Sequence, residues 1–195
     1  FLFVSCWTVY VIYLPGLLTQ AGIDKKWVIW ILMADQLIFT LMDFSIGVAA
    51  DRVTAGLRRI GPWLLGATAI SGLAFLAIPH LAPAGAPVLL LAAVAVWAVT
   101  SSALRAPPML MLGKYVPPPG VPWVATLSLV GMGLAGAVAP YLTVGLRGID
   151  ARLPFALASL ALIAAVGGML WAERHLAAGA STEPAPPARP VAPRP

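Results

Sequence analysis

Charge is scarce in this chain, and the scarcity decides its class. Only 10% of the residues are Asp, Glu, Lys or Arg, where soluble domains carry roughly a quarter, so a water-facing shell cannot be built from it. Cysteine is nearly absent as well. The single Cys6 excludes an internal disulfide and any multi-cysteine metal site, and its apolar neighbours mark it as a buried, inert thiol. Both histidines, His80 and His175, fall outside the long apolar runs, and neither a His-Glu-x-x-His nor a Gly-x-Ser-x-Gly sequence occurs. An embedded enzyme therefore has neither a metal set nor a nucleophile with its base. No cofactor is implied either. Gly131, Gly133 and Gly136 spell G-x-G-x-x-G, but inside an apolar run and after no strand, so the dinucleotide reading fails. The formal charge of +5 is spread over short turns and the tail, which sets membrane orientation and does not indicate a nucleic-acid partner.

What fills the chain is hydrocarbon. With 61% hydrophobic residues and a mean hydropathy of +0.93, it is an integral protein of the lipid bilayer. Six apolar runs are candidate spans: Phe1 to about Leu18, Trp27 to Ala50, Pro62 to about Pro79, Pro87 to about Leu112, Pro122 to about Leu146, and Leu153 to about Trp171. Each approaches the length that crosses a core of ~30 Å at ~1.5 Å per residue. Continuous apolarity predicts helices, since membrane strands alternate over ~10 residues and must close into barrels. The fold expected is all-α and polytopic, with a bundle over residues 1–172. Residues 173–195 are rich in Pro and Ala and are expected to form a disordered cytoplasmic linker or tail. The first run opens without Met or a charged leader, which predicts a fragment beginning inside its first helix and argues against a signal peptide.

Orientation follows from the basic residues. Placing Arg52, Arg58 and Arg59 in the cytoplasm also puts Lys114, Arg174 and the tail there, and leaves the loop after Pro79 outside without Lys or Arg. The same choice puts Lys25 and Lys26 outside beside Asp24, and Arg147 and Arg152 outside beside Asp150.

The second run carries acids. Asp35, Phe39, Asp43 and Gly47 are spaced by four and form a slowly rotating stripe on one helix face. An acid near the bilayer centre costs roughly 2.5–3.5 kcal/mol even on the lenient insertion scale, so the stripe must face other helices or water. Counted from Trp27, Asp35 lies ~12 Å and Asp43 ~24 Å down the helix. Arg105, ~27 Å below Pro87, reaches a similar depth to Asp43; it either pairs with that acid or snorkels to the interface. Trp7, Tyr10 and Tyr13 in the first run either line a cavity or anchor the helix at an interface. In the fifth run Gly131 with Ala135, and Gly133 with Ala137, are small-residue pairs of the kind that let membrane helices approach closely.

Between Asp43 and Trp63 the chain reads DFSIGVAADRVTAGLRRIGPW. Gly47, Asp51, Arg52, Gly56, Arg58 and Arg59 resemble the G-x-x-x-D-R turn, followed by Gly and two basic residues, that joins helices 2 and 3 in the major facilitator superfamily. Within it the stretch is most similar to the glycoside–pentoside–hexuronide:cation symporters, whose pattern runs N-D-P-x-x-G-x-x-x-D-R-T-R-x-R-W-G-R-R-R-P-W. Asp43, Gly47, Asp51, Arg52, Pro62 and Trp63 fall on it without a gap. Met42 stands for its Asn and Phe44 for its Pro, Leu57-Arg58 for its Trp-Gly, and Phe39 for a further acid that this family often carries.

The resemblance implies six transmembrane helices arranged as two inverted three-helix repeats, half of a twelve-helix transporter. It implies a small-molecule substrate of the sugar or glycoside class, moved by alternating access against a second six-helix half from the same gene or a second copy. The residues from Gly47 to Trp63 would form the cytoplasmic gating motif, with Asp51 and Arg52 as a latch, and the protein would lie in the bacterial inner membrane as a multi-pass protein. Asp35 and Asp43 become candidates for coupling to a proton or cation, and the missing acid at Phe39 favours the proton. The alternative for Asp35 is a structural hydrogen bond to a neighbouring helix. The alternative for the whole chain is a non-transporting assembly protein built on the same half.

Overall fold

A computed structural model describes residues 1–52, 57–104 and 118–180. They form six long helices: α1 (Leu2–Gln20), α2 (Val28–Arg52), α3 (Leu57–Leu81), α4 (Pro87–Ala103), α5 (Val121–Gly145) and α6 (Arg152–Ala180). Short 3-10 turns, Lys25–Trp27 and Pro118–Gly120, lead into α2 and α5. No strand occurs among the described residues, so the all-α expectation holds. In hydrocarbon this is what backbone chemistry requires, because every amide must find its partner inside its own segment.

Four of the six expected spans, within α1, α2, α5 and α6, are long and apolar enough to cross a membrane. In α3 and α4 the described apolar stretches run over Leu65–Leu81 and Pro87–Ser102, each bordered by residues whose side chains lie outside the described ones. α4 was expected to reach Leu112 but ends at Ala103, and residues 105–117 lie outside the described residues. α3 starts at Leu57, earlier than the expected Pro62, so the backbone at Arg58 and Arg59 is already helical. At the other end, α6 runs on through Ala180, past the expected boundary at 172. The segment AERHLAAGA is made largely of good helix formers, and the first proline after Pro154 is Pro184. Residues 181–195 lie outside the described residues.

Local signals set the helix ends. Pro87 opens α4 and Pro122 the first turn of α5, where a missing N–H costs nothing and the fixed φ suits the helix. The α1–α2 turn passes through Gly22 at φ +82°, a left-handed conformation that side chains disfavour. Asp24 then accepts a hydrogen bond from the Lys26 amide at 3.0 Å and caps the 3-10 turn.

α1 lies against α5 and α6, α4 against α2 and α3, and α3 against α6, while α1 and α2 touch only briefly. Apart from the brief α1–α2 contact, replacing each helix by the one three places further on maps these contacts onto themselves. α1–α5 becomes α4–α2, α1–α6 becomes α4–α3, and α3–α6 is its own image.

The core is aromatic at its centre and aliphatic around it. Phe75 of α3 stacks on Phe155 of α6 with ring centroids 4.3 Å apart, and Trp97 of α4 lies 4.9 Å from Phe75 and 4.7 Å from Tyr10. Leu14, Leu18, Ile78 and Leu90 are fully buried around them. Such ring pairs contribute about 0.5–1.5 kcal/mol each beyond the area they bury. That matters here because lipid tails are as apolar as the side chains, which leaves packing and hydrogen bonds to hold membrane helices together. A small-residue crossing joins α3 to α6. Gly72 lets Ile163 approach to 3.5 Å of where a Cβ would sit, and its carbonyl accepts a hydrogen bond from the Ser159 hydroxyl at 3.3 Å. Of the two small-residue pairs in α5, Ala135 is buried and Gly131 meets the start of α1, whereas Gly133 faces open space.

Candidate functional site

Among the described residues the interior holds one acid. Asp35 of α2 is 2% exposed, and Tyr10 of α1 donates its hydroxyl proton to the Asp35 carboxylate at 2.6 Å. The two residues come from helices that otherwise barely touch, so this bond is a main tie between α1 and α2. Charge-assisted O–H···O bonds of this length are among the strong ones.

Aromatic rings close around the pair. Trp7, one turn before Tyr10, has its ring centroid 5.4 Å from Tyr10, 5.3 Å from Phe39 and 6.2 Å from Trp97. Phe39, one turn after Asp35, meets Trp97 edge-on at 6.1 Å. The stripe read from the sequence therefore divides. Asp35 and Phe39 point into the bundle, and Asp43, two turns further on, is exposed on the surface of this chain.

Trp7 and Tyr10 thus join Asp35, while Tyr13 serves another place. Its hydroxyl lies 3.0 Å from the Leu146 carbonyl and 3.1 Å from that of Ile149, sharing one proton between them, and its ring meets Phe155 at 6.1 Å. Both carbonyls belong to the α5–α6 turn, so Tyr13 satisfies acceptors that the end of α5 leaves open. The same turn borders a cleft of about 530 Å³ between the ends of α1 and α3, whose lining includes Tyr13, Leu17, Gln20, Pro79, Asp150 and Arg152.

Arg105, the expected partner of Asp43, lies outside the described residues, as does Gly56. The backbone at Gly47, Asp51 and Arg52 belongs to α2 and that at Arg58, Arg59 and Pro62 to α3, but their side chains are likewise outside the described residues. Trp63 is 82% exposed. The acid's actual partner was not anticipated. The sequence reading named a cation only for Asp43, and left Asp35 a hydrogen bond to a neighbouring helix as its alternative without naming the donor. It gave Tyr10 only a cavity-lining or anchoring role, and gave none to Trp97. Their signal was position: both are amphipathic aromatics in the middle of apolar runs, where tyrosine and tryptophan are rare compared with the interfaces.

No family model, curated protein or solved structure matches this chain.

Proposed function

We propose that the chain is a six-helix half of a secondary transporter of the major facilitator type, and that Asp35 is its coupling acid. The observation that carries this reading is the Asp35–Tyr10 pair itself. A carboxylate held deep in an apolar bundle is costly and is the usual mark of an ion or proton pathway, and mid-membrane is where transporters of this architecture place substrate and coupling ion. The self-mapping of the helix contacts supports two three-helix repeats. A unit of three spans ends on the side opposite its start, so a second copy must run inverted, as the shift by three helices requires. In that arrangement α3 and α4 count as spans as well, and a second six-helix half closes the cargo cavity.

The mechanism follows from geometry. When protonated, Asp35 can still bond Tyr10, as a neutral carboxyl with acceptor capacity; when ionised, it needs that donor or water. Opening the bundle toward one side of the membrane would exchange the Tyr10 hydroxyl for water or for a cargo hydroxyl. A sugar or glycoside suits the half-buried ring of Trp7, whose face matches the apolar face of a pyranose ring. Phe39 removes a ligand that sodium would use, so the coupled ion is a proton.

One observation favours a second reading. Asp35 is covered by its own half to 2% exposure, as a structural tie in a non-transporting assembly protein would be. Uptake into proteoliposomes separates the two. With Asp35→Asn, uphill accumulation driven by a pH gradient is abolished while counterflow exchange of cargo persists, because the amide mimics a permanently protonated acid. Uphill uptake that survives in Asp35→Asn reduces the residue to a hydrogen-bonding role, and a strict sodium requirement in the parent overturns proton coupling.

A further inference from the structure

The cleft at the ends of α1 and α3 belongs to no part of the transport reading. Its floor is apolar, formed by Leu17, Pro79 and the ring of Tyr13, and its rim carries one charge of each sign, Asp150 and Arg152. These two do not neutralise each other. The ion pair on this face is Lys26–Asp24 at 3.3 Å, and among the described residues neither the Asp150 carboxylate nor the Arg152 guanidinium has an ionic partner. The carboxylate is nonetheless fixed in place, because it accepts a hydrogen bond from the Arg152 amide at 2.9 Å. The turn beneath is fixed too, through Gly148 at φ +83° and the Tyr13 hydroxyl on two of its carbonyls.

Position selects the occupant. The cleft opens where α1 ends and α6 begins, both being helices long enough to cross the bilayer, so it sits at headgroup depth. A volume of about 530 Å³ is within the range of sites that hold small molecules. From these observations we propose that the cleft binds the headgroup of a zwitterionic phospholipid bearing a primary ammonium. The Arg152 guanidinium takes the phosphate through paired N–H donors. The Asp150 carboxylate accepts from the ammonium, which has three N–H donors where a quaternary choline has none. The glycerol backbone then lies over Leu17 and Pro79, and the occupied cleft ties the α5–α6 turn to α1 and α3.

Native mass spectrometry of the purified protein with added phosphatidylethanolamine, phosphatidylcholine or phosphatidylglycerol tests this. Phosphatidylethanolamine is retained roughly tenfold better than the other two, the factor expected from one charge-assisted hydrogen bond. Asp150→Asn brings its retention down to their level, and Arg152→Gln lowers the retention of all three, because it removes the contact to the phosphate they share. Neither change should unfold the protein: the guanidinium holds no internal ion pair, and asparagine still accepts from the Arg152 amide. Lys25→Gln, on the same face but outside the cleft, leaves retention unchanged. Equal retention of all three lipids, or variants that bind like the parent, overturns the proposal. Displacement of the lipid by soluble phosphoethanolamine at equal concentration also overturns it, since the ligand would then be a free headgroup compound and not a membrane lipid.

Discussion

α1 and α5 are equally apolar, yet a third of the apolar window of α1 is buried within this chain and only 6% of that of α5. α6 and α2 repeat the contrast, at 33% and 11%. Hydropathy reports that a helix leaves water; it does not report whether the helix meets protein or lipid. What separates the two classes is which residues interrupt the apolar sequence. α1 presents Trp7, Tyr10 and Tyr13 to rings, an acid and turn carbonyls, whereas α5 turns Trp123, Leu127, Leu129 and Tyr141 outward and buries Ala135 alone. In the contact network α2 and α5 stand at the two ends of the packed series, each leaning on one main neighbour.

Truncating a tryptophan in each class tests that contrast most severely. Trp97 is 2% exposed and touches Trp7, Tyr10, Phe39 and Phe75, whereas Trp123 is 74% exposed. Trp97→Ala should destabilise the protein by about 3–5 kcal/mol, the range for emptying a packed aromatic site. Trp123→Ala should stay within about 0.5 kcal/mol, as surface changes usually do. Unfolding by sodium dodecyl sulfate in mixed micelles measures both. Similar losses at the two positions would mean that α5 is packed against protein as firmly as α4 is, and the contrast would collapse.

The sequence made some of this legible and hid the rest for physical reasons. Long apolar runs bounded by Pro, Gly and charge located all six helices, because in hydrocarbon the helix is nearly the only solution. Their exact ends were less visible. AERHLAAGA contains no proline and extends α6, although the Pro- and Ala-rich composition of residues 173–195 as a whole had argued for a tail. The stripe spacing correctly placed Asp35 and Phe39 on one face, but a period of four drifts around the helix, and two turns later Asp43 is on the outside. The partner of Asp35 was invisible to charge counting. A buried carboxylate can be satisfied by a neutral donor, and which of four tyrosines supplies it depends on how α1 crosses α2, which no single helix encodes.

Removing only that donor sharpens the comparison further. Tyr10→Phe keeps the ring that packs on Trp97 and deletes the hydroxyl, leaving the Asp35 carboxyl without its 2.6 Å partner. An orphaned buried group of this kind costs about 1–3 kcal/mol. The double variant Tyr10→Phe/Asp35→Leu should recover much of that loss, because replacing both partners by apolar groups removes the unmet hydrogen bond. Tyr141→Phe, on the outward face of α5 where Tyr141 is 78% exposed, should be near neutral. A Tyr10→Phe protein as stable as the parent would show that water or another side chain already serves the acid.

The last contrast lies between two helix glycines, Gly72 and Gly133. Gly72 sits at the α3–α6 crossing, where a Cβ would lie 3.5 Å from Ile163 Cδ1 and 3.8 Å from its Cγ1, while a Cβ at Gly133 would meet nothing within 4 Å. Alanine does not discriminate between them. Its single carbon makes ordinary contact at Gly72 and open contact at Gly133, and at both it relieves the roughly 0.5–1 kcal/mol that glycine costs a helix interior. Leucine does discriminate. At Gly72 its branch must displace Ile163 or push α6 away from the Ser159 hydrogen bond, which predicts a loss of about 1–3 kcal/mol from overpacking, and at Gly133 it extends outward at no such cost. If Gly72→Leu is tolerated as well as Gly133→Leu in the same micelle titration, the α3–α6 crossing is looser than its 3.5 Å approach implies, and the division between packed and outward-facing helices does not extend to that contact.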